Sequence, residues 1–218
     1  MSSLTEDSMS TIFDFLFEQY AGYSTLNIVL EITAVIFGLL SVLFSMWNNI
    51  WVYPTGMVST AIFVYLLLYW GLLGDMMINV YYFAMSIYGW WIWTRKVDPE
   101  HVTPIAWTTK REHRISAVIF VAAIVFVAIV YTVFDKWQGW PSYVDTLTTA
   151  IFFVGMWLMA RRKIENWIYW IVGDIISVPL YFYKGLTFAR LQYLIFTVIA
   201  VFGYIAWKKN LHKNPVIA

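Results

Sequence analysis

Residues 161–193 read RRKIENWIYWIVGDIISVPLYFYKGLTFARLQY. Three basic residues lead into about twenty mostly apolar ones, enough to cross a hydrocarbon core of ~30 Å as a helix. Trp167, Trp170 and Asp174 stand at helical spacing, so a helix carries them on one face. Pro179 follows on the same span. A carboxylate near the middle of a span costs at least ~2.5 kcal/mol on insertion scales. A span rarely carries one without a use. The rest of the chain reads as a scaffold that brings other helices to this face.

Composition supports a membrane setting. Of 218 residues, 61% are hydrophobic and 12% charged, against about 25% charged in a soluble domain. The net charge of +1 and the lack of a basic stripe give no sign of nucleic-acid binding. There is no cysteine, which excludes disulfides and thiolate metal sites. His101, His113 and His212 fall in loops or the tail and read as solvated. Residues 1–22 lack a basic n-region, so no signal peptide is expected. The amphipathic run 13–20 suits the membrane interface. Aromatics make up 20%, and a place in the interfacial belts is the plain reading of any single tryptophan.

The pattern predicts an all-α, polytopic protein with seven spans, at 27–46, 52–70, 76–93, 115–134, 144–160, 166–183 and 188–207. Residues 1–26 precede the bundle of 27–207, and 208–218 form a tail. Of the 14 basic residues, only Lys136, Lys184 and Arg190 fall on the side of the N-terminus. The others, including Arg95, Lys110, Arg161, Arg162, Lys163 and Lys208, share the opposite side. The positive-inside rule then puts the C-terminus in the cytoplasm and the N-terminus outside. Asn49–Gly56 resembles Asn166–Gly173, Tyr69–Leu72 resembles Tyr183–Leu186, and Tyr88–Trp93 resembles Phe202–Trp207, in the same order. Repeat one (27–93) and repeat two (144–207) are then joined by a linker span (115–134). One linker span restores direction, giving a 3+1+3 parallel repeat of the kind found in SWEET transporters.

Parallel three-span repeats enclose a substrate path at their interface. Pro54 and Pro179 interrupt one span in each half. Such paired interruptions point to a site, or are packing kinks. Two indoles and a carboxylate on one stripe suit a flat, cationic aromatic ligand, because indole faces attract cations; the belt is the alternative for the tryptophans. Asn79 and Gln192 sit early in the third and seventh spans, where carboxamides offer donors and acceptors. Asn48, Asn49 and Asn166 lie at span starts, where capping is the plain reading. Tyr82 and Tyr193, with Asn48 and Asn49, complete the candidate substrate contacts. Glu31 and Asp145 lie towards the outer side. No metal, cofactor or catalytic set is expected. No phosphate loop occurs, the last span has no mid-span lysine for a retinal Schiff base, and Asp174 has no second carboxylate at matching depth.

These residues resemble the PnuC family of bacterial nicotinamide riboside transporters. The likeness lies in Lys163–Trp170 (KIENWIYW), in Gly185-Leu-Thr with Leu191-Gln-Tyr, and in Ser86–Trp90 (SIYGW). It runs from about Glu31 to Trp207. Where the family often has Gln early in the third span, this chain has Asn79. The resemblance implies a SWEET-related 3+1+3 bundle in the bacterial inner membrane, embedded in lipid. It implies facilitated uptake of nicotinamide riboside, trapped inside by phosphorylation, and a homo-oligomer, a trimer. The ligand agrees with the residues: indoles for the pyridinium, an amide for the carboxamide, a carboxylate for the hydroxyls or the charge. A transporter of a related B vitamin is the runner-up. A seven-span sensor should carry a signalling domain, and only 208–218 follow the last span.

Overall fold

The computed structural model describes residues 24–95, 103–183 and 187–213. The amphipathic run 13–20 lies outside them. The described chain is all helix apart from one isolated bridge, Ala106 to Lys163. In order the helices are α1 (Thr25–Met46), α2 (Val52–Tyr69), α3 (Leu73–Thr94), α4 (Lys110–Val133), α5 (Trp140–Ala160), α6 (Asn166–Tyr183) and α7 (Thr187–Lys213). All seven expected spans are present, with shifted ends. A capping box between Thr109 and Glu112 starts α4 inside the charged run, ahead of residue 115. Pro141 in the first turn lets α5 start ahead of residue 144. Among the described residues, five helices are long and apolar enough to cross a membrane by length and composition. The other two, α3 and α6, carry Asp75, Asn79, Asn166 and Asp174.

In the first half α2 packs against both α1 and α3, and in the second α6 packs against both α5 and α7. The halves meet where α1 touches α7 and α3 touches α5. Helix α4 packs on α5 and only lightly on α3, so it connects the halves from the outside.

Local geometry recurs between the halves. Asn48 and Arg162, 114 residues apart, both adopt φ 55°, a left-handed conformation costly for a side chain such as arginine. The Asn48 N–H donates to the Ser45 carbonyl and the Arg162 N–H to the Met159 carbonyl, each at 2.9 Å. The next donor pairs, Asn49 to Phe44 and Lys163 to Leu158, keep the same spacing. This register sets Tyr53 opposite Trp167, Gly56 opposite Trp170, Thr60 opposite Asp174 and Asn79 opposite Tyr193. The sequence pairing of Asn49 with Asn166 is therefore out of register, and Asn79 is not the counterpart of Gln192. A segment this rich in aromatics matches nearly as well after sliding.

The register also explains two glycines. A Cβ on Gly89 would lie 2.3 Å from the Tyr53 ring, and one on Gly203 would lie 2.6 Å from the Trp167 ring. Glycine at both equivalent places lets α3 press on α2 and α7 on α6. Below these contacts, each half reaches into the other. Trp93 donates its Nε1 hydrogen to the Met159 carbonyl at 3.2 Å, and Trp207 donates to the Ser45 carbonyl at 2.9 Å. Ser45 Oγ donates to Met159 Sδ at 3.2 Å. Trp93 and Trp207 are 2% and 0% exposed and lie 5.8 Å apart. They lie in the buried core, with Tyr53 packed edge-on against Trp93 and Trp167 edge-on against Trp207.

Candidate substrate cavity

Above this aromatic floor a cavity of about 260 Å³ lies between the halves. Small-molecule sites span ~300–1,000 Å³, so it suits a small ligand. Its two walls differ at equivalent places. The first half contributes Gly38, Ser41, Ser45, Gly56, Ser59, Thr60 and Ser86. Opposite Gly38 the second half has Phe152, opposite Gly56 it has Trp170, and opposite Thr60 it has Asp174. The first half's side therefore mixes small hydroxylated residues with Tyr53 and Tyr82, while the second half's side is bulkier at these places and carries the one carboxylate.

The hydroxyl protons are already committed. Ser41 donates to the Val52 carbonyl (2.7 Å), Ser59 to Ala34 (2.8 Å), Thr60 to Gly56 (2.7 Å) and Ser86 to Tyr82 (2.8 Å). Each hydroxyl has one hydrogen, so its remaining offer to a ligand is lone pairs. The Trp167 Nε1 hydrogen is buried without a hydrogen bond and remains a donor.

On the aromatic wall Trp170 stacks on Phe152, with centroids 5.4 Å apart and planes at 25°. Phe152 is nearly parallel to Tyr193, at 6.2 Å and 9°. Asp174 is 2% exposed. It makes no hydrogen bond or ion pair with any described residue, and no lysine, arginine or histidine lines the cavity. Tyr82 and Tyr193 sit within its electrostatic reach. Such a carboxylate carries a desolvation cost with nothing in the protein to offset it, which suits a cation arriving from outside.

Of the residues singled out from the sequence, Trp167, Trp170, Asp174, Tyr82 and Tyr193 come together on this cavity. The carboxamides do not. Asn79 Nδ2 donates to the Asp75 carbonyl at 3.0 Å, one turn back on its own helix. Gln192 is exposed, on another face of α7 from Tyr193. Asn48 Oδ1 accepts from Arg162 Nη2 at 2.9 Å and ties the halves together. Asn49 Oδ1 accepts from the Trp51 N–H at 3.0 Å, a local side-chain turn ahead of α2. Asn166 is fully buried, and its Nδ2 donates to the Lys163 carbonyl. Glu31 and Asp145 stand off the cavity wall. Pro54 lies in the first turn of α2, where no helical bond is lost, and Pro179 is exposed within α6. The prolines therefore do not form a pair at the site.

Sequence reasoning missed Phe152 and the hydroxyl wall. The recurrence of Gly38, Ser41 and Ser45 at helical spacing in an otherwise bulky span was the available signal.

A cavity set between two three-helix units in a bundle of apolar helices suits a membrane transporter for a small molecule. Residues 28–209 match the family described as nicotinamide mononucleotide transporter, and the chain belongs to that family. It is a multi-pass membrane protein and not an enzyme. It is 26% identical to the riboflavin/roseoflavin transporter RibM of Streptomyces davaonensis over 93% of each chain. It is 25% identical to the nicotinamide riboside transporter PnuC of Escherichia coli, over 85% of this chain and 87% of that one. The crystal structure of the vitamin B3 transporter PnuC has the same fold, with a TM-score of 0.61 and 24% identity over 93% of this chain and 88% of that chain.

Proposed function

We propose that the chain carries nicotinamide riboside into the cell by facilitated diffusion. The observation that supports this most is the buried, unpaired Asp174 beside the Trp170 face. Nicotinamide riboside is a flat cation with several O–H and N–H donors. The carboxylate meets the charge, the indole stacks on the ring, and the hydroxyl wall accepts from ribose. Riboflavin, which RibM carries, is larger and neutral. It would use the aromatic wall but leave Asp174 unpaired in a cavity of about 260 Å³. A nucleotide would bring a phosphate beside a carboxylate with no cation on the wall, so the riboside fits better than its phosphate. Phosphorylation inside would then trap it.

The charge distribution supports an inner-membrane protein with a cytoplasmic C-terminus. On that reading the Trp93–Trp207 floor faces the cytoplasm and the cavity serves the outside. A uniporter moving a cation carries its charge, so uptake responds to membrane potential without needing a proton gradient. Proteoliposome uptake of labelled riboside, riboflavin and nicotinamide mononucleotide tests this. Riboside should enter fastest, survive an uncoupler, and level off at equal concentrations when the potential is clamped at zero. Accumulation beyond that at zero potential, or preference for riboflavin, would replace the proposal.

A further inference from the structure

A second cavity of about 350 Å³ lies at the basic end of the bundle, away from the substrate cavity. Arg95, Arg161 and Lys163 line it, with Thr103, Pro104 and Ala106. We infer that it is an anion site that takes a phosphate ester.

Its walls are fixed by the fold. The Ala106 N–H donates to the Arg162 carbonyl and the Ile164 N–H to the Ala106 carbonyl, each at 3.1 Å. Glu165 Oε1 accepts from the Thr108 N–H at 2.8 Å. Arg162 is clamped from above by the Thr103 carbonyl and Asn48 and sits 4.2 Å over the Trp93 ring. Residues 103–108 and the turn from α5 to α6 are thus stitched together beside the cavity.

The charges in it are not balanced. Glu112 is the carboxylate that reaches them, at 3.0 Å from Arg161 and 3.1 Å from Lys163. It is also spent on capping α4. Arg161 uses further hydrogens on Glu112 (from Nε) and Tyr88, which leaves two of its five unspent. Arg95 lies over Trp91 and has no carboxylate partner among the described residues. Among the described residues three cations stand against one carboxylate, which leaves the pocket electropositive, and the Lys163 side chain is only 12% exposed.

The fold does not require these charges. In the equivalent turn of the first half, Trp47, Asn48 and Asn49 stand where Arg161, Arg162 and Lys163 stand in the second, with the same backbone bonds. One turn carries three cations and the other none. A general preference for basic residues at this end gives no reason for their convergence on a cavity. A phosphate group supplies the missing negative charge and accepts the unspent guanidinium hydrogens. It could come from an anionic lipid headgroup, since Trp91 and Trp107 stand exposed nearby, or from a soluble phosphate ester.

Purified full-length protein tests both sources. In a zwitterionic detergent, its thermal midpoint is followed with pyrophosphate or chloride at equal ionic strength, then with phosphatidylglycerol or phosphatidylcholine added. A rise with pyrophosphate alone assigns a soluble ester, and a rise with phosphatidylglycerol alone assigns a headgroup. Arg95→Gln, which breaks no side-chain hydrogen bond among the described residues, should reduce the response at least threefold. Arg161→Lys, which can keep a contact to Glu112, should reduce it further. Riboside affinity, measured in parallel, should stay constant in Arg95→Gln. No anion-specific rise, or an undiminished rise in Arg95→Gln, overturns the site.

Discussion

The two halves share a turn geometry and a set of tight contacts, and differ in the side chains they turn to the cavity. Tyr53 and Trp167 are pressed against glycines in the same way, and Trp93 and Trp207 exchange the same bond across the interface. At the floor the halves are near copies, because both must close the same seam. Higher up the copies diverge: Gly56 faces Trp170 across the register, Gly38 faces Phe152, and Thr60 faces Asp174. Symmetry is kept at the floor and lost at the cavity wall. On the proposed function, an asymmetric riboside would lie with its ring on the second half's aromatics.

Making the walls alike should have the largest effect. Gly56→Trp puts the second half's indole on the hydroxyl wall, where even a Cβ would lie 3.0 Å from Ser41 Oγ. Riboside uptake in proteoliposomes should be lost. Copying the difference onto the floor should cost less. Trp207→Phe removes one of the two donors to the buried Ser45 carbonyl and leaves the Asn48 N–H, a loss of about 0.5–1.5 kcal/mol. The thermal midpoint should fall, and Trp93→Phe should lower it comparably; a large drop in one alone would show that the floor is not symmetric. Trp170→Leu removes the stacking face and about 0.5–2 kcal/mol of cation attraction, seen as weaker riboside binding by calorimetry. Gln192→Leu should be the smallest, with affinity unchanged, because Gln192 lies off the cavity. A clear loss would bring the carboxamide back into the site.

The stripe on α6 was legible in the sequence because a carboxylate in an apolar span has few silent explanations. The number and order of the helices followed from apolar runs and from where the charges fall. Phe152 was not legible, since one phenylalanine in a chain that is 20% aromatic carries no mark. The hydroxyls of Ser41, Ser59 and Ser86 were equally hidden, because a serine bonding back to backbone is common in any helix. Asn79 and Gln192 were misplaced for a related reason. Their depth along α3 and α7 was right, but rotation about a helix axis depends on packing that two separate spans do not record. The sequence resemblance between Asn49–Gly56 and Asn166–Gly173 pointed to a different register from the one the turns at Asn48 and Arg162 share.

The central claim is that Asp174 reads the charge of the ligand. Calorimetry on the protein and on Asp174→Asn, each with nicotinamide riboside and with its neutral, ring-reduced form, tests it most directly. Asp174 has no hydrogen bond or ion pair within the described protein, so the amide should not disturb the fold. The cation should bind roughly a hundredfold more weakly to the variant, about 3 kcal/mol for an uncompensated charge, and the neutral form should change little. An unchanged ratio between the two ligands would contradict the claim and make Asp174 a structural residue of α6.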